Sequence, residues 1–250
     1  MSGADDLWLL AAGIYLIAGT IKGLLGLGLP TTAITLLTLF VSPFQALALN
    51  LVPMLFVNIW QFARADNPIS LTRIYAPFAL SLSVTIFAFS YVTASLSLSS
   101  LQLFVALTVI LFALFNLFQR PFALSAKHDT RWQLCFGAMA GIMGALTSMW
   151  AVPLVMYLLS RNLSKKEFVD ASGFLLLVGS VPLGFGYIAT GIVTTKIILP
   201  AIAAVMAALI GFSIGEFLRG KIAEVLFRKI LLWFFLAIGL RMVFVVWQGA

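Results

Sequence analysis

Long, nearly uncharged apolar runs follow one another from end to end of this chain, and that one feature ties its fold to a lipid bilayer. Eight of them, Leu7–Leu25, Gln45–Ala63, Ile74–Val92, Leu101–Gln119, Trp132–Trp150, Glu167–Ala189, Thr195–Phe217 and Ile222–Trp247, reach 19 residues or more. At about 1.5 Å per helical residue such a run crosses a hydrocarbon core of about 30 Å. With 62% hydrophobic and 9% charged residues, the chain lacks the polar surface of a soluble domain, where about a quarter of residues are charged. The expected fold is an all-α polytopic membrane protein. Two further runs, Pro30–Val41 and Ala151–Ser160, are too short to cross unaided.

Several kinds of chemistry are poorly supported. Cys135 is the single cysteine, so neither an intrachain disulfide nor a thiolate metal site can form. His128 is the single histidine and sits between Lys127 and Asp129 in a polar gap, where it reads as a solvated loop residue. No Gly-x-x-x-x-Gly-Lys-Ser/Thr loop is present, which leaves ATP without its usual cradle. No metal or cofactor is expected. The net charge of +7 reads as membrane topology rather than nucleic-acid binding, because the basic residues fill short gaps between apolar runs. The chain opens Met-Ser-Gly-Ala-Asp-Asp, acidic where a signal peptide is basic, so Leu7–Leu25 is expected to be a retained helix.

The two short runs occupy matching places. Gly19 and Gly141 are 122 residues apart and Pro30 and Pro153 are 123 apart; Ser42-x-x-Gln45 and Ser164-x-x-Glu167 follow at 122, and Pro77 and Pro200 at 123. Both Ser-x-x-Gln/Glu patterns are capping boxes that start a helix. Landmarks recurring in order at one offset argue for an internal duplication, with repeats over 1–125 and 126–250. Twelve of the 15 basic residues lie in four gaps, those holding Arg64 and Arg73, Arg120 to Arg131, Arg161 to Lys166, and Arg219 to Lys229. Placing these gaps in the cytoplasm puts both termini outside and makes the repeats inverted, provided each short segment changes sides with its neighbour or belongs to a re-entrant hairpin.

Inverted repeats with a short, Gly/Pro-interrupted segment in each half are a transporter signature, with cargo held where the breaks meet. Unwound backbone at membrane depth survives only in protein or against a polar cavity, and a half-helix N-terminus suits an anion. The first break carries Lys22, Gly26, Gly28, Pro30, Thr31 and Thr32. The glycines lower the cost of unwinding, Pro30 fits a first helical turn, and the threonines offer hydroxyls. Lys22 either faces a cavity or snorkels to the interface. The second break carries Thr147, Ser148 and Trp150; Trp150 could shape the cavity or simply pack. Asn50, with Ser172 at the 122 offset, and Asn58 and Gln61 add amides on the next helix, as ligands or as helix glue. Asp170 is a candidate for proton coupling, with an ion pair to Lys165, Lys166 or Lys22 the favoured alternative. Three Gly-x-x-x-Gly spacings, at Gly19, Gly137 and Gly211, read as close helix packing.

The stretch Lys22-Gly-Leu-Leu-Gly-Leu-Gly-Leu-Pro30, followed by a short apolar segment and a second broken repeat, resembles the sulfite exporter TauE/SafE family, also called the toluene-sulfonate uptake permease family. The resemblance spans about Leu7 to Trp247. It implies a bacterial inner-membrane transporter with two homologous halves and about eight full-length helices. It also implies movement of sulfur-containing anions such as sulfite or organosulfonates, in some members coupled to protons. Thr147-Ser148-Met149-Trp150 departs from the glycine-rich second break of many relatives.

The leading expectation is therefore a secondary transporter that carries a small anionic substrate, a sulfur-containing oxyanion such as sulfite or an organosulfonate, outward across a lipid bilayer. The alternatives are an anion channel and an uptake permease for another small organic anion. An intramembrane enzyme would need an acid/base pair or metal cluster at depth, and one carboxylate without a histidine does not supply it. The sequence assigns no oligomeric state.

Overall fold

The computed structural model describes residues 4–118, 124–194, 197–219, 221 and 224–248. Among them are eleven α-helices and no strand: α1 (Ala4–Leu25), α2 (Leu29–Leu37), α3 (Pro43–Phe62), α4 (Pro68–Ile74), α5 (Ala76–Ser95), α6 (Leu98–Phe118), α7 (Asp129–Thr147), α8 (Ala151–Leu159), α9 (Lys165–Ala189), α10 (Ile198–Leu218) and α11 (Glu224–Gln248). Seven of these are long and apolar enough to cross a membrane. The chain is a multi-pass membrane protein. α7 is also 19 residues long, with Asp129 in its first turn. The expected run end at Gln119 and run starts at Thr195 and Ile222, like Arg120 and Lys196, lie outside the described residues.

Local chemistry explains the boundaries. Ser42 and Ser164 each accept from the backbone N–H three residues on, and Gln45 and Glu167 reach back to the cap N–H; both capping boxes are formed. α4 lies in the polar gap that holds Arg64 and Arg73, where no apolar run points to a helix. Asn67 caps it by accepting from the Ser70 N–H, with Pro68 in its first turn.

Helix directions follow from contacts. Tyr15 reaches Asn50 and Lys22 reaches Asn58, so α1 and α3 run parallel and nine-residue α2 carries the chain back between them. Leu51 packs over Gly184 while Gln61 packs over Gly173, so α3 and α9 are antiparallel. Asn116 meets Arg228 while Ala106 and Ile110 meet Gly239, so α6 and α11 are antiparallel too. By the same reasoning α1 is parallel to α10 and α5 to α7, Leu16 lying against Gly211 and Gly23 against Gly215, Phe78 against Gly137 and Ile86 against Gly144.

The α1–α10 seam has backbone against backbone. A Cβ on Gly19, Gly23, Gly211 or Gly215 would fall 2.1–2.2 Å from a carbonyl oxygen of the facing helix. Small residues let helices approach this closely where lipid supplies no hydrophobic drive. α2 and α8 start 122 residues apart, as do α3 and α9, and α5 and α10; α1 and α7 end 122 apart.

Candidate functional site

The break after α1 is a tight reversal of three residues. Gly26 has φ +81° and Gly28 φ +102°, conformations that side-chain-bearing residues rarely adopt. Gly26 N–H donates to Lys22 O at 2.7 Å, and Pro30 occupies the first turn of α2. The break after α7 repeats the geometry 122 residues on. Ser148 takes φ +56° and its N–H donates to Gly144 O at 2.7 Å.

Each break leaves a helix-end carbonyl that needs a donor. Gly23 O receives Arg219 Nε at 3.0 Å and a second guanidinium nitrogen. Ala145 O, 122 residues later, receives Thr93 Oγ1 at 2.8 Å and the Tyr187 hydroxyl at 2.7 Å. One clasp is cationic and the other neutral.

Lys22 lies inside the protein, 1% exposed. Its ammonium donates to Asn58 Oδ1, Asn58 Nδ2 donates to Ser180 Oγ at 3.0 Å, and Ser180 Oγ donates to Leu176 O at 2.7 Å. Among the described residues no carboxylate pairs with Lys22. In its protonated form the amine has three N–H donors, so one neutral acceptor leaves two donors and the charge without a counterpart among the described residues. The insertion cost of such a charge is about 2.5–3.5 kcal/mol by translocon scales.

Trp150 stands beside this chain. Its ring fills the space over Gly144 and Gly179, next to Ser180, and its buried indole N–H has no acceptor among the described residues. Gly144 is the 122-residue counterpart of Lys22, so an aromatic ring occupies the second half where the first carries a charge. The Thr32 and Thr35 hydroxyls and Gln61 Oε1 are likewise buried without a hydrogen-bond partner among the described residues.

The other expected site residues are distributed. Thr31 is buried on α2. Asn50 Oδ1 accepts from Tyr15 at 3.2 Å, Thr147 Oγ1 donates to Met143 O at 2.7 Å, and Ser148 Oγ lies 3.4 Å from the Tyr187 hydroxyl. Asp170 pairs with Lys166 at 3.0 Å, which also pairs with Asp66 at 3.0 Å. Ser180, Tyr187, Tyr15 and Arg219 bond to expected site residues or to the carbonyls at the breaks and are not among the residues the sequence singles out. Ser180 had a usable signal, since it stands 122 residues after Asn58.

Two cavities flank the first break. One of about 520 Å³ has Gly26, Gln61 and Val169 in its walls, with Arg64, Lys166 and Arg219 among its charges. Asp170 and Glu216 line it too, the latter paired with Arg64 at 2.5 Å. The other, of about 400 Å³, takes Leu27 and Gly28 into an apolar wall with Asn116 and Arg228 at one side. Both lie toward the face where α1, α3 and α10 end and α9 begins, which carries most of the basic residues.

The profile of the sulfite exporter TauE/SafE family matches residues 11–242, a span that includes both breaks and reaches from within α1 to within α11. The chain belongs to this family. The TauE/SafE family is one of membrane transporters, not an enzyme class, which accords with a site made of a cation, amides and hydroxyls. No curated protein and no solved structure matches the chain. Among the described residues of this TauE/SafE member no group of three or more His, Cys, Asp or Glu could hold a metal ion.

Proposed function

We propose that the chain is a secondary carrier for small sulfur-containing oxyanions, sulfite and organosulfonates, working in the export direction of its family's name. The carrying observation is Lys22, a buried lysine with no carboxylate paired to it among the described residues. An anion beside it would neutralise the charge, accept its two remaining N–H donors, and face the N-terminal end of α2, where Thr31 and Thr32 lie and the helix dipole is positive. Gly26 and Gly28 let the backbone bend away from that position, Trp150 stands beside the Lys22–Asn58–Ser180 chain, and Asn50, Thr147 and Ser148 would meet the anion further along its path. The antiparallel pairing of α3 with α9, whose starts lie 122 residues apart, and of α6 with α11 supports two inverted repeats over 1–125 and 126–250. The basic face is then cytoplasmic in a bacterial inner membrane, and both termini are external.

In proteoliposomes preloaded with unlabelled sulfite, labelled sulfite is expected to enter by counter-flow, with sulfonates competing. Absence of exchange above protein-free liposomes for every sulfur oxyanion would remove this cargo class, and a steady ionic conductance would favour a channel. We assign Asp170 to the ion pairs at the cavity mouth. Asp170→Asn is expected to keep exchange within about fivefold of the parent, since such pairs are worth about 1 kcal/mol or less. Loss of the pH dependence of exchange in that variant would instead make Asp170 the coupling carboxylate.

A further inference from the structure

The breaks are alike in backbone but not in surroundings. The first opens onto the 520 Å³ cavity through Gly26. The second is shut: Ser148 and Tyr187 are 0% exposed, and Tyr187 and Thr93 hold Ala145 O. Moving the cavity lining by 122 residues gives the matching positions on the far side. Gly26 becomes Ser148, Phe212 becomes Ser90, Asp170 becomes Ala48 and Gln61 becomes Leu183. All four counterparts are buried. Ser90 and Gly186, the counterparts of Phe212 and Arg64, already lie against each other, since a Cβ on Gly186 would meet Ser90 Oγ at 2.4 Å.

We infer that the chain has a second anion-access cavity on the face opposite the basic one, bounded by Ser148, Ser90, Ala48 and Leu183, with the Tyr187–Thr93 clasp on Ala145 O as its gate. The inference rests on the inverted-repeat carrier reading: two halves that exchange conformations exchange cavities. The two cavities differ in charge. Arg64, Lys166, Arg219, Asp170 and Glu216 correspond to Gly186, Phe44, Ser97, Ala48 and Ala94, so the second cavity has no counterpart to the charged mouth of the first. Raising ionic strength screens the mouth and therefore weakens apparent anion affinity from the basic face while leaving the opposite face unchanged.

The test replaces the exposed Cys135 by serine and places single cysteines by Ser90→Cys, Ala48→Cys and Asp170→Cys in membranes of known orientation. A membrane-impermeant methanethiosulfonate is then applied from each face, with and without the clasp variant Tyr187→Phe/Thr93→Val. Loss of both donors is expected to speed modification at positions 90 and 48 from the far face by about tenfold and to slow it at 170 from the basic face. With the clasp intact, both far-side positions are expected to react during sulfite exchange, because every cycle exposes them. If neither reacts from the far face while exchange proceeds, the second cavity does not exist. Reciprocal labelling without any sulfur-oxyanion exchange would keep the cavity and overturn the cargo.

Discussion

Replacing Lys22 by methionine is expected to slow anion exchange by about tenfold to a hundredfold and to leave the protein folded. The size follows from losing charge-assisted hydrogen bonds worth about 1.5–3 kcal/mol. Methionine keeps most of the side-chain volume and removes a buried charge that has no paired carboxylate, so thermal unfolding in detergent is expected at or above the parent temperature. Asn58→Leu is expected to act in the opposite sense on stability. It removes the acceptor of Lys22 and the donor to Ser180, at a cost of about 1–3 kcal/mol for the groups left unsatisfied. Combining the two changes should recover part of that loss, because the cation and its amide then disappear together. Exchange at the parental rate in Lys22→Met would show that the ammonium only braces the core.

The second large effect concerns the seam between α1 and α10. Gly215→Val is expected to yield no monodisperse protein after detergent extraction. A Cβ at this position would sit 2.1 Å from Thr20 O and 2.8 Å from Gly23 Cα. Both are backbone atoms, so relief requires the helices to separate, and the clasp from Arg219 to Gly23 O separates with them. Gly13 is the control. Nothing lies within 4 Å of a Cβ there, and Gly13→Ala in a helix interior is expected to stabilise by up to about 1 kcal/mol. A well-behaved Gly215→Val protein with normal exchange would mean that the seam is looser than its geometry.

Much of this architecture was legible because the membrane simplifies the code. Apolar length alone located the long helices to within a few residues, and the capping boxes at Ser42 and Ser164 fixed two of the starts. The short segment expected at Pro30–Val41 is a helix only over Leu29–Leu37, since the chain turns at Thr38–Phe40 before the next cap. α4 escaped notice because seven residues with Arg73 in the last turn carry no spanning signal. In the site, Lys22 stood out because a charge within an apolar run is rare. Its surroundings did not: a serine in a membrane helix commonly bonds a carbonyl of its own helix, as Ser180 does with Leu176 O, and only tertiary contact shows that Asn58 also reaches Ser180 and that Tyr187 reaches Ala145 O. Arg219 looked like one more residue of the basic face, and its role as a cap on α1 depends on a packing that no local pattern encodes.

The Asn58–Ser180 hydrogen bond joins two positions 122 residues apart, the spacing of the proposed repeat. In an assembly of identical halves, whatever stands on the twofold axis must meet its own copy. A lysine at position 22 would bring a second ammonium to the same centre, and the two would repel across a medium that screens poorly. On the inverted-repeat reading proposed above, joining the halves in one polypeptide lifts that restriction. One half can supply the cation, the other a glycine with an indole laid over it, and a solitary charge can occupy the middle of a nearly symmetric molecule.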